Sequence, residues 1–157
     1  MPLSNILHRR QVILTALLLP VLGVQAKPAR VLIEVWKTPT CGCCKDWVSH
    51  LQDNGFEVQL HELSEPAKAA QRARLGMPEK FGSCHTALVR GYVVEGHVPA
   101  GDIQTLLKQV PTALGLAAPG MPVGSPGMDG PAYGGHRDPY AVMLVRRDGS
   151  ASVYAQH

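Results

Sequence analysis

The stretch Val31-Leu32-Ile33-Glu34-Val35-Trp36-Lys37-Thr38-Pro39-Thr40-Cys41-Gly42-Cys43-Cys44 decides how the chain is read. Residues 31–36 are a short apolar run of β-branched and aromatic side chains, the pattern of a buried strand. Pro39 ends the strand, because proline has no N–H to donate to a central ladder. A helical stretch follows from about Cys43 to Asp53, with Trp47, Val48 and Leu51 on one face. The strand thus delivers a cysteine cluster to the start of a helix. There, free N–H groups and a partial positive charge favour thiolate over thiol.

Outward from this unit, Asn54-Gly55 stops the helix and Phe56 to Leu60 alternates like a second strand. Glu65 to Leu75 reads as a helix with Pro66 in its first turn, ended by Gly76-Met77-Pro78. Thr86–Val89 and Tyr92–Glu95 flank Arg90-Gly91, a hairpin signal. A third helix is expected from about Ile103 to Val110, before Pro111. Residues 111–139 are rich in Gly and Pro and read as one long irregular segment. Tyr140–Val145 and Ser152–Tyr154 read as two last strands around Asp148-Gly149. The order predicts an α/β fold: a thioredoxin-like mixed sheet flanked by helices, with a long Gly/Pro/Met loop and a C-terminal hairpin appended.

Residues 1–26 read as a signal peptide. His8, Arg9 and Arg10 precede an apolar run from Val12 to Val24, and Val24-Gln25-Ala26 offers a cleavage site. Pro20 and the short run argue against a membrane span, with an uncleaved anchor as the alternative. Arg9-Arg10 leaves both Sec and twin-arginine export open. Residues 27–157 then form a single domain. With two Trp, two Phe and four Tyr in the whole chain, the core must rest on Val, Leu, Ile and Ala. Loss of the leader removes two arginines and no acid, so the net charge falls from +3 to +1. No basic stripe or aromatic platform remains, which argues against nucleic acid as a partner. No phosphate loop or Ser–His–Asp constellation supports kinase or hydrolase chemistry.

Exported thiols usually pair. Yet Cys41, Cys43 and Cys44 crowd four positions. A Cys43–Cys44 bridge would be strained, because adjacent α-carbons lie only about 3.8 Å apart. Such crowding suits a shared metal centre. Cys41 and Cys44 also have C-x-x-C spacing, and thiolate serves both disulfide exchange and soft-metal binding. Cys84 tilts the reading toward metal. It lies just before the hairpin, where thioredoxin-like oxidoreductases hold a cis-proline facing the C-x-x-C. This chain has no proline between Glu79 and Pro99. The alternatives are a redox dithiol, a structural zinc site or a disulfide staple.

Pro119-Gly120-Met121 recurs as Pro126-Gly127-Met128, and thioethers suit Cu(I); core packing is the competing role. His85 adjoins Cys84, though consecutive strand residues face opposite ways unless the backbone is irregular there. His97 can approach from the end of the hairpin. His50 and His61 read as solvated surface residues. His136 falls in a loop, and His157 in a C-terminal position where disorder is the default. Asp46, Glu62 and Glu95 show no pairing that suggests acid–base catalysis.

Trp36 to Cys44, Ser83-Cys84-His85-Thr86-Ala87, Glu95-Gly96-His97-Val98-Pro99 and Pro119 to Met128 resemble the motifs of the CopG-like copper-resistance proteins, in the same order. The resemblance covers nearly the whole mature chain. It implies a periplasmic protein of thioredoxin-like fold that binds copper in a thiolate-bridged cluster. It further implies copper or silver resistance through Cu(I)/Cu(II) interconversion. Cys41, Cys43, Cys44 and Cys84 match the family's cysteines, and His85, His97, Met121 and Met128 fall in its other motifs. Copper, rather than zinc, is the expected metal. Other copper-handling or efflux proteins of the periplasm are the expected partners, with no membrane contact after cleavage. A thiol–disulfide oxidoreductase and a structural partner in metal efflux are the alternative functions.

Overall fold

β1 (Val31–Lys37) turns Ile33, Val35 and Lys37 to one buried face, following the strand period of two. The computed structural model describes residues 29–157, so the expected leader, 1–26, lies outside the described residues. α1 (Gly42–Asp53) buries Cys44, Trp47, Val48 and Leu51, one stripe at helical spacing. β2 (Phe56–Glu62) returns parallel to β1, with Lys37 opposite Glu62. α2 (Glu65–Arg74) carries Pro66 in its first turn. β3 (His85–Val89) and β4 (Tyr92–Glu95) form the expected hairpin. Arg90 and Gly91 both adopt positive φ, the geometry of a two-residue turn that follows strand twist. α3 (Ala100–Gln109) starts about three residues before the expected Ile103, directly after Pro99.

The segment 111–139 is not wholly irregular. It contains β5 (Gly115–Ala117), which is fully buried and runs parallel to β4. Three residues are too few to show a period, so burial alone marks this strand. β6 (Ala141–Val145) pairs with β5, and β7 (Ala151–Gln156) pairs with β6. The expected C-terminal hairpin is present and extends the sheet beyond β5. The strand order is β2-β1-β3-β4-β5-β6-β7.

The larger core lies on the α1 and α3 face, built on Ile33, Val35, Trp47, Leu51, Val94, Ile103, Leu106 and Leu116. A smaller one gathers Met77, Phe81, Val93, Leu114, Ala117 and Val145. Val93 adjoins Val94 in the strand and points to the other face, so the sheet is covered on both sides. Among the described residues, no helix is long and apolar enough to cross a membrane.

Two histidines depart from their sequence reading. His50 is half-buried, and its Nε2 accepts the N–H of Ala100 at 3.1 Å, an orphan donor in the first turn of α3. His157 is tied down: its backbone N–H and C=O both pair with Tyr140, and its ring meets Asp102 at 2.8 Å.

Candidate metal centre

The end of β1, the start of β3 and the end of β4 meet in register. Lys37 faces His85, and Thr86 faces Glu95. Chain leaving β1 turns at Pro39-Thr40, where the Cys41 N–H donates to the Thr38 carbonyl, and enters α1 with Cys41 at its N-cap. Cys44 lies one turn on, so it shares a side with Cys41. The two form a disulfide with α-carbons 5.4 Å apart. Cys43 and Cys84 are free. Cys43 Sγ lies 3.6 Å from Cys41 Sγ, and Cys44 Sγ lies 3.7 Å from the Cys84 carbonyl oxygen. All four sulfurs fall within 4.8 Å of one another. The first turn of α1 holds no acid, so its N–H groups face the sulfurs without a competing carboxylate.

Cys84 stands just outside β3, in irregular backbone. His85 therefore does not point away from it: Cys84 Sγ is 3.3 Å from His85 Nδ1 and 3.0 Å from His97 Nε2. The far nitrogen of each ring meets a backbone carbonyl. His85 Nε2 is 2.9 Å from Gly96 O, and His97 Nδ1 is 2.8 Å from Pro126 O. Only an N–H can make those contacts, so the nitrogens that face sulfur carry lone pairs. Burial, and then the neighbouring His97 charge, holds His85 well below its ordinary pKa; burial also lowers His97. Both imidazoles stay neutral, as ligands must. Burial, reinforced by the Cys43 charge, pushes the Cys84 thiol up to about 12. Without metal, Cys84 is a thiol, and a binding metal must displace its proton.

A further layer was not legible as functional in the sequence. Glu95 is fully buried and accepts the Ser83 N–H at 2.7 Å and the Thr86 hydroxyl at 2.6 Å, with Arg72 at 3.6 Å. Burial raises its carboxyl pKa to about 7. Buried Lys68 donates to the Cys84 carbonyl at 2.9 Å and pairs with Glu65. Trp47 donates to the Val98 carbonyl at 2.8 Å and packs against the His85 ring at 4.1 Å between centroids. Ser83, Cys84 and His85 are thus held from both faces of the sheet. The only sequence signal was a pair of long charged residues on helix α2 near a Cys-His pair, which composition alone does not distinguish from surface charge.

The loop between β5 and β6 forms the outer wall. The Ser83 hydroxyl donates to the Gly120 carbonyl at 2.5 Å, which sets Met121 at the rim of a surface cavity of about 480 Å³ that Cys84 also lines. Met121 is half-exposed; Met128 is buried, and its sulfur accepts the Tyr133 hydroxyl at 3.2 Å. Gly127 presses on the first turn of α1, where a β-carbon would stand 2.6 Å from the Cys43 carbonyl. The structure therefore gathers Cys41, Cys43, Cys44, Cys84, His85 and His97. It places Met121 on the approach to Cys84 and Met128 in the wall beside Tyr133. Four cysteine sulfurs with two neutral imidazoles make a soft donor set that suits copper and would also satisfy zinc.

Residues 81–128, which contain Cys84, His85, His97, Met121 and Met128, match a family described as "Protein of unknown function, DUF411". Two solved structures are similar over most of the chain. "Copper resistance protein copG- Form 1" is 46% identical with a TM-score of 0.74, covering 82% of this chain and 98% of that one. "Copper resistance protein copG- Form 2" is 45% identical with the same TM-score, covering 82% and 99%. A comparison with curated protein sequences yields no match.

Proposed function

The chain belongs to the family of the CopG copper resistance proteins, and from that premise we propose that it is an exported copper-binding protein of copper resistance, working in the periplasm. The observation that carries this reading is the convergence of four cysteine sulfurs within 4.8 Å at a helix N-terminus. Copper is the cargo. In the reduced protein, Cys41, Cys43, Cys44 and Cys84 are thiolate donors, and more than one Cu(I) can share them because thiolate sulfur bridges. His85 and His97 supply neutral nitrogen at the inner edge. Met121 and Met128 are the remaining soft donors of the loop wall. A set with both sulfur and imidazole tolerates Cu(I) and Cu(II), which supports interconversion of the two states at the site. The β1–α1–β2–α2–β3–β4–α3 order supports a thioredoxin-like reading of the first four strands.

Native mass spectrometry of reduced protein after anaerobic Cu(I) loading tests this. More than one copper per chain is expected. A single zinc ion retained in preference to Cu(I) would sink the proposal.

The Cys41–Cys44 disulfide favours a second reading, a thiol–disulfide oxidoreductase. That reading requires insulin-reduction activity that Cys41→Ser abolishes.

A further inference from the structure

The disulfide removes Cys41 and Cys44 from the donor set, yet it leaves one complete group of ligands untouched. Cys84, His85 and His97 present one sulfur and two nitrogens that lie within 4.8 Å of one another. None of the three belongs to the disulfide. Both rings are fully buried and locked by a carbonyl on the far nitrogen, Gly96 O for His85 and Pro126 O for His97. These contacts aim two lone pairs at Cys84 Sγ, from 3.3 and 3.0 Å. Bonds of about 2.3 Å to sulfur and about 2.05 Å to nitrogen, at a tetrahedral angle, set sulfur and nitrogen roughly 3.5 Å apart. The group therefore has to open by only a few tenths of an ångström to take an ion. Its supports are independent of Cys41 and Cys44: Lys68 holds the Cys84 carbonyl, Glu95 holds Ser83 and Thr86, and Trp47 backs the His85 ring.

We propose that Cys84, His85 and His97 form a mononuclear Cu(I) site that persists when Cys41 and Cys44 are joined, so that the copper capacity of the chain is set by its thiol redox state. The oxidised protein holds one ion, bound with release of the Cys84 proton. A dithiol reductant opens the disulfide: two electrons and two protons convert Cys41 and Cys44 to thiols, and the reductant leaves as its own disulfide. The remaining capacity then appears around an ion already seated. Cys43, which lies outside the disulfide, is an accessory donor here and not a required one. This inference rests on the copper-binding reading above for the identity of the metal, while its ligand set is separate.

The test starts from the mature chain with the Cys41–Cys44 bond formed and the two other thiols verified by alkylation mass spectrometry. Anaerobic Cu(I) titration followed by native mass spectrometry should give one copper per chain. His97→Ala should lose that ion, and His136→Ala, at an exposed histidine outside the site, should keep it. X-ray absorption at the copper edge of the oxidised wild type, which needs no variant, should show a mixed shell of two nitrogens and one sulfur. The same chain after dithiol reduction should show a higher copper count and a sulfur-dominated shell. An oxidised chain that binds no copper overturns the inference. So does a sulfur-only shell, or an ion that survives His97→Ala. If the reduced chain still loads several ions, the copper-binding reading stands despite that loss. If instead the oxidised chain holds its one ion and reduction adds none, the multinuclear reading fails and the redox control of capacity is overturned with it, leaving only the Cys84–His85–His97 ligand set.

Discussion

Glu95 is the residue whose role depends most on where the fold puts it. Its carboxyl is sealed from water between Ser83, Thr86 and Arg72 and titrates near 7, against an ordinary value of 4.5. The folded state therefore holds the proton more tightly than the unfolded chain. Its contribution to stability is full below pH 4.5 and is lost as pH rises to about 7, a change of about 3 kcal/mol. His85 and His97 act in the opposite sense. Their depressed values give a contribution that is present above pH 6.5 and declines as pH falls below it. Wild-type stability is a sum of opposed slopes, so the clean measurement is a difference. In metal-free protein, urea unfolding of Glu95→Gln relative to wild type should shift progressively in favour of the variant between pH 4.5 and 7, then level off. A difference that stays constant across that window would show that Glu95 does not titrate as described. The cysteines were legible from sequence because spacing alone sets their chemistry. Glu95 and Lys68 were not, since nothing local marks an acid on β4 or a lysine on α2 as buried.

Elements with a strong local signal are legible in the sequence, and those that depend on their neighbours are not. Arg90-Gly91 announces its hairpin because two consecutive positive-φ residues suit few other structures. Trp47, Val48 and Leu51 announce α1 by spacing. β5 has three residues and no period, so its pairing with β4 and β6 is a tertiary fact. The Pro-Gly-Met loop shows the same limit. Its sulfurs stand out in sequence, but its firmest contacts with the site are backbone ones: Pro126 O fixes the His97 ring, and Gly127 lies flat on α1. Gly127 has φ +86, which L side chains rarely adopt, and a β-carbon there would collide with the Cys43 carbonyl and the Trp47 backbone nitrogen. Gly127→Ala should therefore lift the loop from the helix, at a cost of about 2 kcal/mol. The expected drop in Tm is on the order of 5–10 °C. Copper affinity should fall with it, because His97 loses the carbonyl that orients its ring. Calorimetry alongside a competitive Cu(I) titration checks both; an unchanged Tm would contradict the packing.

At the scale of the whole molecule, the described residues form one sheet, with the candidate metal centre wedged between two halves of the chain. The first half, through the turn that follows β4, supplies every cysteine and both histidines. The second half supplies the wall, and β6 and β7 anchor it: Asp138 and Val123 are joined through backbone, and His157 closes on Tyr140 and Asp102. If residues 139–157 were only an appendage, the centre would survive their removal. The pairing of β5 with β6 argues otherwise. Without β6, the buried β5 becomes a bare edge, with Leu116 and Ala117 beside unpaired N–H and C=O groups. Val145 would also be lost from the smaller core, where it packs with Met77, Phe81, Val93 and Leu114. A chain truncated after Asp138 should therefore associate through that edge. Size-exclusion chromatography should show oligomers and poor soluble yield, and the remaining monomer should melt well below the full chain and take up less copper. A monomer with an unchanged Tm and full copper uptake would mean that the chain up to Asp138 completes the centre without β6 and β7.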